Sequence, residues 1–308
     1  RKVWDIFITT NITFIGKPEM GKNTIKKVIF EGEDPNELVL FPLEATIGIK
    51  YSVHEFMNSR ISLIDAPGQS LPIILENEEK QILAFGDCGA IIYVFDYPTW
   101  ISDSQDIIDD VRKIYEINKT HNFGAKVILF LHKIDLVIKK KIGSLLSLIR
   151  TQIINQLNLP EELPIYFTSL HPNLIYTTYN AISNTISHFS ENTSRLKEKI
   201  KTLLQISSKT SCFVTNQDNH LILQEFSNDF DINILYYLYE EVYNISKTSA
   251  IPTSKSSVIS LGPKLINIVI ENLKIENLGF KYVIIFSETL EQEDMIKIVE
   301  DLKKALYS

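Results

Sequence analysis

Gly16-Lys17-Pro18-Glu19-Met20-Gly21-Lys22-Asn23 has the GxxxxGK spacing of a phosphate-binding loop. It follows an apolar run and leads into Ile25, Val28 and Ile29 at helical spacing. A loop in that strand-to-helix context turns backbone N–H groups and a helix N-terminus toward an anion, and Lys22 adds a cation for the terminal phosphates. An ordinary strand-to-helix turn with a surface lysine shares the spacing, so the companion motifs decide. Asn23 departs from the pattern, because a Ser or Thr there places its hydroxyl on Mg²⁺ whereas an amide oxygen sits one bond farther out. Thr24 is adjacent but falls elsewhere on the helix.

The companions occur in order. Asp65-Ala66-Pro67-Gly68-Gln69 closes an apolar strand with a DxxGQ pattern: Asp65 would hold Mg²⁺ through water, the Gly68 amide would meet a γ-phosphate, and Gln69 would orient the attacking water. Thr46 is the candidate switch residue contacting Mg²⁺ and γ-phosphate. After Val127–Leu131 comes His132-Lys133-Ile134-Asp135, an NKxD-like box with His for Asn. Asp135 would accept from the guanine N1–H and N2 amine, which adenine does not offer, while the Lys133 stem covers the base. Phe167-Thr168-Ser169 completes the pocket through backbone amides, with Leu170 beside it, although Ser169 reads equally well as a helix N-cap.

Positioning these loops requires an α/β domain with a mostly parallel sheet. Apolar runs at 6–15, 47–56, 60–65, 89–96, 125–131 and 165–168 are the predicted strands, with a turn at Met57-Asn58-Ser59 between two antiparallel neighbours. Ile107, Ile108, Val111, Ile114 and Tyr115 form one predicted helical stripe, and Leu145, Leu148, Ile149, Ile153 and Leu157 another. The polar stretch Ser190–Ser194 divides a first domain, 1–190, from a second, 191–308. There a helix at 195–206, a hairpin around Asn216–Asn219, a helix at 231–246, strands near 257–261, 265–271 and 281–286, and a last helix striped by Met295, Ile298, Val299, Leu302 and Leu306 predict one mixed sheet flanked by helices.

Composition narrows the function. A chain of 308 residues, 44% hydrophobic and 22% charged, supports two cores, and a net charge of −7 argues against a nucleic-acid partner. Cys88 and Cys212 match no CxxC pattern and read as buried small hydrophobes of a reducing, cytoplasmic compartment. No apolar run is long enough for a transmembrane segment. The chain opens on Arg1 rather than Met, so an N-terminal extension or lipidation signal is an expectation beyond it, and Lys304–Ser308 is no prenylation box. His54, His121, His171, His188 and His220 lack metal-ligand spacing and are expected in solvent or loops. Lys139-Lys140-Lys141 reads as a solvated loop, and Asp103, Asp106, Asp109 and Asp110 as the acidic start and exposed face of a helix.

The sequence resembles the Rag/Gtr GTPases, and among them the Rag C/D subunit type. The residues carrying this are Lys26–Phe30, Asp34–Glu37, Leu43–Thr46, Asp65–Gln69, Ala90–Asp96, His132–Asp135 and Thr168-Ser169, the His-Lys-x-Asp box being more diagnostic than the P-loop. The resemblance implies a roadblock-like α/β dimerisation domain at the C-terminus and a second Rag/Gtr-like subunit bound through it. It also implies roadblock or longin-type scaffold proteins as partners, GTP/GDP and Mg²⁺ as ligands, and peripheral recruitment to an endomembrane through partners. Family members carry Ser or Thr at the position of Asn23, so the substitution implies a GDP-biased regulatory subunit with slow hydrolysis. A catalytically inactive GTPase-like scaffold is the alternative, and an ATP-using P-loop enzyme a third reading disfavoured by Asp135.

Overall fold

The computed structural model describes residues 10–34, 38, 48–56, 59–137, 142–161, 163–171, 174–187, 189, 191–216, 221–231, 234, 237–238, 241–242, 254–261, 264–275 and 280–307. The chain forms two compact units, Arg1–Ala181 and Ile182–Ser308.

In the first unit β1 (Thr10–Ile15), β2 (Lys50–Phe56), β3 (Ser59–Asp65), β4 (Ala90–Asp96), β5 (Lys126–His132) and β6 (Ile165–Phe167) form one sheet in the order β2-β3-β1-β4-β5-β6. All neighbours pair in parallel except β2 and β3. β4 and β5 are nearly continuous apolar runs because a central parallel strand is covered on both faces; every residue of β4 is buried. The register sets Phe14 beside Asp65 and Asp96 beside His132. The carboxyl ends of β1, β3, β4 and β5 therefore open on one side of the sheet, where the order turns outward on either side of β1. Ligands of open α/β sheets bind at such a switch point.

The helices of this unit are α1 (Lys22–Phe30), α2 (Leu71–Glu76), α3 (Glu78–Phe85), α4 (Tyr97–Thr120) and α5 (Ile142–Leu157), and α6 (Tyr176–Ser187) follows. α4 starts earlier than the aspartates suggested. Asp96 caps it, Pro98 lies in its first turn, and Asp103 marks a kink at φ −138 and ψ 40 rather than the helix start. In α5 Ile149, Ile153 and Leu157 are buried, but Leu148 is 55% exposed, since it lies about a quarter-turn off that line. His54 is not a loop residue: it lies on β2, half-buried, with its ring 5.6 Å from Phe30. Lys139–Lys141, His188, His220, Met57-Asn58 and Thr46 lie outside the described residues.

The second unit holds β7 (Thr210–Asn216), β8 (Leu221–Phe226), β9 (Ser254–Leu261), β10 (Lys264–Ile275) and β11 (Phe280–Ser287), in the order β8-β7-β11-β10-β9. Every pairing is antiparallel, not mixed as expected. Short connections make β7–β8, β9–β10 and β10–β11 antiparallel neighbours, and β11 returns against β7 in the same sense. The flanking helices α7 (Glu191–Gln205) and α8 (Gln292–Tyr307) bury Leu196, Ile200 and Leu204, and Met295, Val299 and Leu302. Most of the expected helix at 231–246 falls outside the described residues; of those described, Ile234, Leu238 and Val242 are buried. Cys88 and Cys212 are both free and buried. Among the described residues no helix is long and apolar enough to cross a membrane.

Candidate nucleotide site

The loop after β1 is shaped by two glycines at which any side chain would be strained. Gly16 has φ +145, and a Cβ there would lie 2.2 Å from the Val94 carbonyl oxygen, so the loop leaves β1 pressed against β4. Gly21 has φ +90, and its Cβ would meet His132 Cδ2 at 2.6 Å. Between them Glu19 adopts φ 63, a left-handed conformation that costs a side-chain-bearing residue about 1–2 kcal/mol.

Lys22 opens α1 and folds back into this loop. Its ammonium donates to the carbonyls of Gly16 at 2.9 Å and Lys17 at 2.7 Å. Burial pulls its pKa down to about 8, against the opposing pull of the Asp65 carboxylate. Lys17 turns the other way, its ammonium pairing with Asp106 of α4 at 3.0 Å. Asp106 is thus part of the loop's support, a role hidden behind its reading as an exposed helix face. Met20 is buried and its sulfur accepts from Thr99 Oγ1 at 3.6 Å.

Asp65, at the end of β3, is 7% exposed. The turn that follows lies directly on the phosphate loop: a Cβ on Gly68 would come 2.4 Å from Pro18 N and 2.6 Å from Lys17 C. Gln69 stands exposed in the short 3₁₀ turn Gly68–Ser70. Asn23 and Thr24 are half-buried in the first turn of α1. The Asp65 carboxylate and Asn23 amide are hard oxygen donors of the kind Mg²⁺ takes when one or two protein ligands share it with phosphates and water. Asp65 suits Mg²⁺ by its chemistry, while the Asn23 oxygen is set one bond farther out than a hydroxyl would be.

The other loops build the base end. His132 is 3% exposed, with Nδ1 2.9 Å from Thr168 Oγ1. Burial, helped by the Lys133 charge, holds its pKa down to about 4, so the ring is neutral. Lys133, at φ 58, donates to the Glu19 carbonyl at 2.9 Å and to Asp96 Oδ2 at 2.7 Å. Burial raises the Asp96 carboxyl, but hydrogen bonds from Lys133 and the Thr99 amide outweigh it and leave the pKa below the usual range. Asp135 Oδ1 accepts from Ser169 Oγ at 2.5 Å, and Ser169 Oγ accepts from the His171 amide at 3.0 Å.

Two expectations for Ser169 change. Its amide donates to Thr177 Oγ1 at 3.0 Å and is committed inside the loop rather than turned toward a base. It also caps no helix, since α6 begins at Tyr176. Its hydroxyl instead steadies Asp135, while Leu170 is buried beside it. Asp96, Thr99 and Thr177 were missed as site residues. For Asp96 a signal existed: a carboxylate ending an apolar strand two residues before Pro98 is a helix-cap signature.

The structure thus brings Gly16, Lys17, Glu19, Met20, Gly21 and Lys22 together with Gly68, His132 and Lys133. Asp135 and Ser169 bond to each other in the loops after β5 and β6. The Gtr1/RagA G protein conserved region matches residues 11–246 of the chain. A comparison with curated proteins returns no match.

Proposed function

The chain belongs to the Gtr1/RagA family of G proteins, a GTP-binding family, and from that premise we propose that it is a GDP-biased switch subunit of a GTPase dimer. The observation that carries the nucleotide reading is the hydrogen bond from Lys133 to the Glu19 carbonyl, which ties the base-reading box to the phosphate loop. Lys22 and the amides of the loop stabilise the β- and γ-phosphate charge. Asp135 accepts from the guanine N1–H and N2 amine, with the Lys133 stem over the ring. Asp65 and Asn23, with Thr46, would hold Mg²⁺, which would supply positive charge to offset that of the phosphates. Gln69 positions the attacking water in a slow GTP hydrolysis, and the segment after Gly68 rearranges with the γ-phosphate.

Asn23 supports the GDP bias. An amide oxygen set one bond farther out than a hydroxyl strains Mg²⁺ coordination, which matters most when a γ-phosphate shares the ion. The same residue supports the second reading, a GTPase-like scaffold without turnover. Residues 191–308 form the roadblock-like domain through which a second Rag/Gtr-like subunit binds, this chain being of the Rag C/D type, recruited with scaffold proteins to an endomembrane surface. The antiparallel five-stranded sheet flanked by α7 and α8 is compatible with such a domain. Asn23→Ser tests the nucleotide bias: GTP affinity or single-turnover hydrolysis rises in the presence of Mg²⁺, and an unchanged Mg²⁺ dependence contradicts the role given to Asn23.

A further inference from the structure

β2 lies at one end of the first unit's sheet and, among the described residues, pairs only with β3. Among the described residues no strand pairs with its outer main-chain groups, the arrangement that lets another strand add. Tyr51 and Val53, two positions apart, project from one face and remain 55% and 52% exposed. Tyr51 Oη donates to the Leu83 carbonyl at 3.1 Å, which brings the end of α3 against this edge. Ile82 and Leu83 there are 52% and 47% exposed. Large apolar side chains gathered beside an open strand edge mark an interaction surface.

Charge selects the occupant. The segment 76–87 carries Glu76, Glu78, Glu79 and Asp87 against Lys80, and Asp87 is close enough to Tyr51 to raise its pKa after burial and Cys88. A second copy of this chain, at net charge −7, would set acidic rim against acidic rim. We propose that the β2 edge takes an extended segment of a partner protein as an added strand, its apolar residues against Tyr51, Val53 and Leu83 and a lysine or arginine toward Asp87. Main-chain pairing supplies affinity and the alternating side chains supply specificity, as in other strand additions.

The test uses the full chain and a short fluorescein-labelled peptide in which Val and Thr alternate with Lys and Arg, read by anisotropy. Saturable binding is expected, with a loss of about tenfold for Val53→Lys, from the lost apolar contact and added repulsion, and a smaller loss for Asp87→Lys. Both positions are exposed, so both variants should fold, and guanine-nucleotide binding should be unchanged. Alternate N-methylation of the peptide on one edge should abolish binding. Equal binding of the N-methylated peptide, equal binding by Val53→Lys, or no saturable binding would each overturn the proposal.

Discussion

Ser169 Oγ donates to Asp135 Oδ1 at 2.5 Å, joining two loops 34 residues apart and fixing the carboxylate proposed to read the base. Ser169→Ala removes that donor and leaves Asp135 less constrained. Guanine-nucleotide affinity is expected to fall about fivefold, the worth of one hydrogen bond of about 1 kcal/mol. Asp135→Asn goes further, because it sets an amide N–H₂ against the guanine donors. Xanthine, with a carbonyl at its 2-position, should then bind better than guanine. Competition titrations with GDP, XDP and ADP check both variants.

Lys22 gives the site a pH dependence. Its pKa is about 8 in the folded chain against an ordinary 10.5, because burial disfavours the charge. A base with a depressed folded pKa binds fewer protons folded than unfolded between these values, so its contribution to stability rises with pH across that window. Phosphates favour the ammonium, so binding should take up a proton and GDP affinity should fall from pH 7.5 to 9. Isothermal titration in two buffers of different ionisation enthalpy measures the uptake. Lys22→Met should bind weakly and lose the pH dependence.

His132 makes the opposite end of the pH scale informative. Its folded pKa near 4 lies below the ordinary 6.5, so the unfolded chain binds the extra proton between these values. Stability from this group is full above pH 6.5 and is lost as pH falls toward 4, by at most a few kcal/mol. His132→Asn retains polar groups at this position without the titration. Its denaturation midpoint should decline less steeply over that range than that of the unaltered chain, as urea unfolding at stepped pH would show.

Gly21→Ala forces a Cβ to within 2.6 Å of the His132 ring at φ +90. The loop and the base box must then separate. A stability loss of about 1–3 kcal/mol is expected, with at least tenfold weaker GDP binding. Thermal unfolding and equilibrium dialysis separate the two effects. Near-normal GDP affinity would contradict the tight contact between these loops.

Where residues act in sequence order the chain was readable. The unbroken apolar runs at Ala90–Phe95 and Val127–Leu131 became the central strands, and the loops after β1, β3 and β5 met at one end of the sheet. Pairings across space were hidden. Nothing in the spacing joins Lys17 to Asp106 or Lys133 to Asp96, because each depends on how α4 enters from β4. The second sheet was read as mixed because apolar periodicity fixes a strand's faces but not its direction; the antiparallel sense follows from the pairing itself. Leu148 shows the same limit within a helix, since an apolar residue one position off a stripe is indistinguishable by composition.

The proposed site holds guanine nucleotide and favours the diphosphate. The most direct measurement is to denature the purified chain, identify any released nucleotide, and titrate the emptied protein with GDP, GTP and ATP with and without Mg²⁺. Released GDP is expected, with tight GDP binding, weaker GTP binding with little Mg²⁺ dependence, and no ATP binding. No released nucleotide together with no guanine-nucleotide titration would contradict it.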